Sequence, residues 1–326
     1  MVLIIGREEI ERILTMEETI EEVEKAFKNL SLGKVIMPIR SNIPLKKYSG
    51  IIYYMPAYIE EMEALAIKVV SVHSENYKYG LPTTQATILL NEAKTGKLLS
   101  IMDGGYITAM RTGAASGVAT KYMARKNAKV AGIFGAGVQA RTQLIAVCKV
   151  RPIERAYVYD VRMDAAEKYA VEMSKMLGID VKVMKEPKKL VDESEIICAA
   201  TTSKTPIFNG EWLREGTHIN GIGAHTPDAR ELDTTTIKRS KVVVDSYEAC
   251  LKEAGEIIIP LNEKEITRDH IYAELGEIIA GRKVGRINDK EITLFKSVGL
   301  AIQDAATALK VYQKALENRV GKEIKI

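Results

Sequence analysis

The spacing of hydrophobic and polar positions changes along the chain, and each change marks a different kind of structure. Residues 8 to 32 place Ile10, Ile13, Leu14, Ile20, Val23, Phe27 and Leu30 at helical intervals, with acidic residues on the other side and Gly33 at the end. This spacing predicts a helical run over 8–32. Beyond Met37 the pattern turns into short runs rich in Ile, Val, Tyr and Thr, at 50–55, 64–72, 85–91 and 98–102, divided by turn residues such as those from Asn91 to Gly96. Such runs predict the hairpins of an antiparallel sheet. A helix of small residues over 108–125 follows. Strands then alternate with helices, at 130–134, 156–160, 180–184, 195–200, 217–221 and 241–245, in the rhythm of a doubly wound parallel sheet. A last helix over 299–318 has no strand after it and is expected to pack back on the first domain. The fold class is α/β: a Rossmann-type doubly wound parallel sheet plus a second, α+β domain.

The first parallel strand runs into Gly135-Ala136-Gly137-Val138-Gln139-Ala140. A dinucleotide site needs this arrangement. Gly135 allows the tight turn, Gly137 lets backbone approach a pyrophosphate, and the small Ala140 lets helix pack on strand. Asp160 ends the next strand about 20 residues further on, where a carboxylate accepts from both ribose hydroxyls. The bland alternative is an ordinary strand-to-helix turn with an incidental acid. Asp160 favours NAD(H) because it would repel a 2′-phosphate, whereas Arg162 can accommodate that phosphate, so NADP(H) use is tolerated.

Composition narrows the class. A chain of 326 residues suits two domains, and its net charge of +4 comes from interspersed Lys and Glu. No single-sign tract is available for nucleic acid or a membrane surface. The opening Met-Val-Leu-Ile-Ile-Gly is too short for a signal peptide, and no apolar run reaches membrane-spanning length, so a cytoplasmic protein is expected. Cys148, Cys198 and Cys250 are widely spaced and read as buried thiols. No metal site is expected: His73, His218 and His270 lack ligand spacing and read as structural.

Several blocks carry a resemblance over essentially the whole length: Met37-Pro38-Ile39-Arg40, Ala66-Ile67-Lys68-Val69-Val70, Ala109-Met110-Arg111-Thr112-Gly113-Ala114, the glycine turn, Asn220-Gly221-Ile222-Gly223-Ala224, and Ser297-Val298-Gly299-Leu300-Ala301-Ile302-Gln303-Asp304. On these the chain resembles the ornithine cyclodeaminase and mu-crystallin family. The resemblance implies a homodimer, with a substrate and dimerisation domain over 1–112 and 302–326 and a dinucleotide-binding domain over 113–301. It also implies hydride transfer between a nicotinamide and the α-carbon of an amino acid or its imine.

An α-imino acid presents one carboxylate, which calls for converging cations. Arg40, Lys68 and Arg111 are the candidates. Lys68 sits among Ala66, Ile67, Val69 and Val70, where an unpaired ammonium is costly to bury and a bound carboxylate would relieve the cost. Arg111 can grip that carboxylate through two parallel hydrogen bonds. The alternatives are an ammonium reaching water from a half-buried strand for Lys68 and a solvated loop charge for Arg40. Thr112, near a helix start, is expected to donate to the pyrophosphate from its hydroxyl and its amide, with Val138 and Gln139 of the turn beside it. Thr201 and Thr202 are expected at the carboxyl edge of the sheet. Ser297 and Gly299 match the segment that approaches the nicotinamide in relatives.

One departure from the family bears on the substrate and disfavours cyclodeamination. The cyclodeaminases carry an aspartate where this chain has His225, and Asp228 comes only after Pro227. Without that acid, ornithine's distal ammonium lacks a partner. The continuation Pro227-Asp228-Ala229-Arg230-Glu231-Leu232 resembles mu-crystallin and the Δ1-pyrroline-2-carboxylate reductases. The expected reaction is therefore reduction of the cyclic ketimine Δ1-pyrroline-2-carboxylate to L-proline. His225 or Asp228 relays a proton, unless His225 only caps the turn. The competing readings are an alanine dehydrogenase, then an ornithine cyclodeaminase, then a non-catalytic crystallin-like binding protein.

Overall fold

The computed structural model describes residues 1–325 and forms two compact units, one made of Met1–Arg111 with the chain from Leu300 onward, the other of Thr112–Gly299. In the first, a mixed sheet runs in the order 322–324, 2–5, 98–103, 84–92, 64–73, 50–59 and 35–36, with Ser41–Leu45 also paired to Gly50–Ile59. Neighbours are antiparallel except Val2–Ile5 with Leu98–Asp103. The helices Met16–Ser31 and Ala301–Asn318 pack against this sheet. Along Ala64–His73, Ala64, Ala66, Lys68 and Val70 are buried while Leu65, Ile67 and Val69 are only half-buried. The strand thus turns one face to the core and Lys68 goes with it.

Two expectations for this unit are corrected. The helical run over 8–32 is two helices, Arg7–Ile13 and Met16–Ser31, because Leu14 is extended and Thr15 opens a capping box. Its hydroxyl accepts from the Glu18 amide at 3.3 Å while its own amide donates to the Glu18 carboxylate at 3.1 Å. The opening apolar run is a strand, Val2–Ile5, and a strand does follow the last helix: Lys322–Ile324 pairs with it. Two-residue and edge strands at Val35–Ile36 and Ser41–Leu45 also escaped the sequence pattern.

The second unit is a parallel sheet in the order 180–183, 155–159, 130–134, 196–199, 218–221, 293–296, 241–244 and 271–274. Both faces are buried. Ile133, Val158, Ile196 and Cys198 belong to one core, while Phe134, Ile197, Ile219, Val242 and Leu294 belong to the other. That is why these strands read as unbroken apolar runs. Thr293–Lys296 and Ile271–Glu274 were not expected, since runs of four residues carry no readable period. The strand order reverses beside Val130–Phe134, and ligands of doubly wound sheets bind at such a switch point.

The helix expected over 108–125 is Gly104–Met123. A Cβ on Gly113 would lie 2.5 Å from the Thr142 carbonyl oxygen, so this glycine is required by close packing on the helix Val138–Val150. Among the described residues, no helix is long and apolar enough to cross a membrane.

Candidate active site

Each unit carries its own polar constellation. In the first unit, Lys68 and Arg111 are both buried, and each is held by Asp304, in the first turn of Ala301–Asn318. Lys68 Nζ lies 2.7 Å from Asp304 Oδ2, and Arg111 Nε donates to Asp304 Oδ1 at 3.0 Å. Arg111 Nη1 donates to Gln303 Oε1 at 2.6 Å. The water-reaching alternative for Lys68 therefore fails, and the cost of burying its charge is relieved by a carboxylate of the same chain. Arg40 is partly buried, with its guanidinium 5.3 Å from the centre of the Tyr53 ring. It is close enough to be felt at Lys68. Lys68 and Arg111 are two buried cations that share one carboxylate, which leaves positive charge at the site. Burial, then the charge of Arg111, pushes the Lys68 ammonium down to about 8, in spite of Asp304.

In the second unit, Gly135 has φ of 97°, and a Cβ there would meet the Ala200 carbonyl oxygen at 2.6 Å. Only glycine makes this turn. Gly137 is the N-cap of Val138–Val150 without a side-chain cap, and a Cβ there would meet no atom within 4 Å. The helix start is open in front of its unpaired amides. Val138 is exposed and Gln139 partly buried at its mouth. Asp160 accepts from the Ala136 amide at 2.8 Å and from the Arg162 amide at 2.9 Å, which fixes its carboxylate beside the turn. Arg162 itself is exposed. Arg141, which the sequence reading passed over, braces the turn by donating to the carbonyls of Ala136 at 2.7 Å and Gly137 at 3.0 Å while paired with Glu172 at 2.6 Å.

The helix-start placing of Thr112 is a correction, and of its two expected donors, hydroxyl and amide, it affects the amide alone. Thr112 lies well inside Gly104–Met123, so its amide belongs to the helix ladder and is not a helix-start donor.

Three buried carboxylates to which the sequence assigned no role organise the carboxyl ends of the strands. Glu231 accepts from the amides of Thr201 and Gly223, each at 2.6 Å, and so ties the ends of Ile196–Ala199 and His218–Gly221 together. Its own amide donates to Glu256 at 3.0 Å, and Glu256 pairs with the buried Lys296 at 3.0 Å. Lys296 in turn donates to the Ala224 carbonyl at 2.6 Å. Burial raises the Glu231 carboxyl above its ordinary range, with Lys296 opposing. Asp245 accepts from the Ser297 hydroxyl at 2.7 Å and from the Val298 and Gly299 amides, each at 2.8 Å. Ser297 and Gly299 are thereby committed to Asp245, and Gly299 has φ of 84°.

Thr202 is exposed, as are His225 and Asp228. His225 Nδ1 is 3.1 Å from the Gly223 carbonyl, which can only accept. Nδ1 therefore carries the hydrogen and Nε2 is the basic nitrogen of the neutral ring. The Thr226 hydroxyl holds Asp228 below its ordinary range, the wrong direction for a general acid. His218 and His270 are bonded within the unit, at 2.9 Å to Thr293 and 2.7 Å to the Ile237 carbonyl. Cys198 and Cys250 are buried, whereas Cys148 is only partly so. Among the described residues, no His, Cys, Asp and Glu group could hold a metal.

A family model described as the ornithine cyclodeaminase/mu-crystallin family matches residues 2–319. The solved structure of Thermococcus litoralis Δ1-pyrroline-2-carboxylate reductase, in complex with NADH and L-proline, is similar with 56% identity and a TM-score of 0.97, over 99% of this chain and 100% of that one. An archaeal alanine dehydrogenase dimer with bound NAD is similar with 41% identity and a TM-score of 0.94, over 99% of each chain. By sequence, the chain is 42% identical to an alanine dehydrogenase of Archaeoglobus fulgidus over 99% of this chain and 98% of the relative. It is 40% identical to a Δ1-pyrroline-2-carboxylate reductase of Bacillus cereus over 99% of both.

Proposed function

The chain belongs to the ornithine cyclodeaminase/mu-crystallin family, and from that premise we propose that it reduces Δ1-pyrroline-2-carboxylate to L-proline with NADH. The observation that carries the reading is the buried pair Lys68 and Arg111, held side by side by Asp304 with positive charge left over for a substrate carboxylate. The likeness to the Thermococcus litoralis reductase favours a cyclic imine over an open-chain one.

The residues of the second unit fit a dinucleotide: an uncapped helix start, the open space before Gly137, and Asp160 fixed beside the turn for the ribose. When bound, the dihydronicotinamide supplies the hydride that reduces C2. The rest falls to the chain. Lys68 and Arg111, with Arg40 near them, take the carboxylate, which orients the flat C=N, and fixed orientation is worth several orders of magnitude in rate. A protonated imine becomes a neutral secondary amine as the hydride arrives, and the amine then takes a proton. Lys68, with its ammonium near 8, is suited to give that proton. The His225 ring is the second candidate for the relay.

We assign the first unit to substrate and dimer formation and the second to the cofactor. The half-buried apolar row of Leu65, Ile67 and Val69 supports a homodimer, since it is the face of the strand turned away from the core. Asp160 favours NADH, and Arg162 leaves some NADPH use. Three thiols without a disulfide suit a cytoplasmic enzyme.

A second reading, alanine dehydrogenase, is favoured by the Archaeoglobus fulgidus relative. NADH oxidation followed in parallel with Δ1-pyrroline-2-carboxylate and with pyruvate plus ammonium separates the two. Turnover dominated by the cyclic imine is expected, and turnover dominated by pyruvate plus ammonium would replace the first reading by the second.

A further inference from the structure

Asp304 was legible only as the last residue of a family block, yet it is the group that Lys68 and Arg111 share. Its two oxygens face different partners, Oδ1 toward Arg111 Nε at 3.0 Å and Oδ2 toward Lys68 Nζ at 2.7 Å. Beside it, Gln303 Oε1 accepts from Arg111 Nη1 at 2.6 Å and from the Leu300 amide at 3.5 Å, so the amide orientation of Gln303 is set by two donors. Two edges of the guanidinium are therefore pinned, and the plane of Arg111 cannot swing. All four side chains are almost wholly inaccessible to solvent.

We propose that Asp304, seconded by Gln303, is the positioning residue of the substrate-carboxylate receptor: it fixes the separation and orientation of Lys68 and Arg111 without touching substrate. The proposal rests on the reading of Lys68 and Arg111 as that receptor. A carboxylate beside the receptor also competes with the substrate for the same cations. If Asp304 served only to offset buried charge, its removal would, at a pH low enough to keep Lys68 protonated, leave a more positive receptor that binds substrate carboxylate at least as tightly. If it positions, its removal frees Arg111 to swing and the anion binds less well. The charged groups facing Lys68 are Asp304 from Ala301–Asn318, Arg111 from Gly104–Met123 and Arg40 from the segment before Ser41–Leu45. Of these only Asp304 favours the ammonium, so the proton affinity of Lys68 falls when it is lost.

The test is Asp304→Asn, nearly isosteric and neutral, in the full-length protein. The expected results are NADH affinity within about twofold of wild type, L-proline affinity weakened by about tenfold or more, and KM for the imine raised to match. The alkaline limb of kcat should move to lower pH by about one unit. L-Proline bound as tightly as before, or more tightly, overturns the proposal, and so does an unmoved limb. Titration of Lys68 by carbon-13 NMR in wild type and variant gives a readout independent of turnover. Should wild type neither bind L-proline nor reduce the imine, the functional reading fails, while an unchanged Lys68 titration would overturn the role of Asp304. If Asp304→Asn loses NADH binding through misfolding, Gln303→Met releases one edge of Arg111 and should raise KM about fivefold with the alkaline limb in place. An unchanged KM there overturns the proposal.

Discussion

Lys68 shows how a side chain acquires chemistry from its surroundings. An ammonium on a core-facing strand position is stripped of water, crowded by Arg111 and steadied by Asp304, and the balance leaves it near 8 instead of 10.5. With the ammonium form as the proposed proton donor, kcat should be flat at neutral pH and fall as pH rises through about 8, with NADH binding unaffected. Lys68→Met should lower kcat by about a hundredfold or more while NADH still titrates normally. A Lys68→Met enzyme with near-normal kcat would pass the proton transfer to His225. The need for a cation at this position was readable from its apolar neighbours. Its partner was not, because Asp304 is 236 residues away along the numbering of the chain and nothing in the spacing pairs the two.

Elements, more than single side chains, hold the carboxyl ends of the strands in the second unit in place. Strand ends are loose by nature, and here one carboxylate bonds two of them. Glu231 accepts from Thr201 and Gly223 with both oxygens, whereas a glutamine offers a single acceptor and turns an N–H toward an N–H. Glu231→Gln therefore leaves a buried amide unpaired, at a cost of about 1–3 kcal/mol. NADH affinity should weaken by about tenfold, measured by fluorescence titration, and the melting temperature should fall. Affinity equal to wild type would mean that the two strand ends do not need each other. The alternation of strands and helices was plain in the sequence because both faces of the sheet are buried. The strands Ile271–Glu274 and Thr293–Lys296, the break at Leu14 and the true start of the helix around Thr112 were hidden, since each depends on a cap or a pairing and not on a period.

Over the whole molecule, stability and assembly follow from what is buried. His218 is fully buried, with Nδ1 2.9 Å from a Thr293 hydroxyl that itself donates to the Met123 carbonyl at 3.0 Å, so Nδ1 carries the hydrogen and the ring is neutral. Burial, then the charge of Arg286, drives its pKa down to about 3 from 6.5. Between those values the unfolded chain binds more protons than the folded one, so stability rises with pH across the window and is lost as pH falls through it. His218→Gln should flatten that acid limb of thermal stability by a few kcal/mol. A limb of unchanged slope would assign it to other groups. The proposed dimer is tested by Ile67→Lys, which places charge on the half-buried apolar row and should turn that dimer into a monomer by light scattering; a variant that stays dimeric moves the interface elsewhere. The fold class, the dinucleotide turn and the three cations were decided locally, by periodicity, by the conformational needs of glycine and by charges set among apolar neighbours. Those are properties of short stretches of chain. Which carboxylate meets which cation, which strand ends are tied and which amides are already spent were decided only when distant segments came together, because pairing in space leaves no spacing along the chain to read.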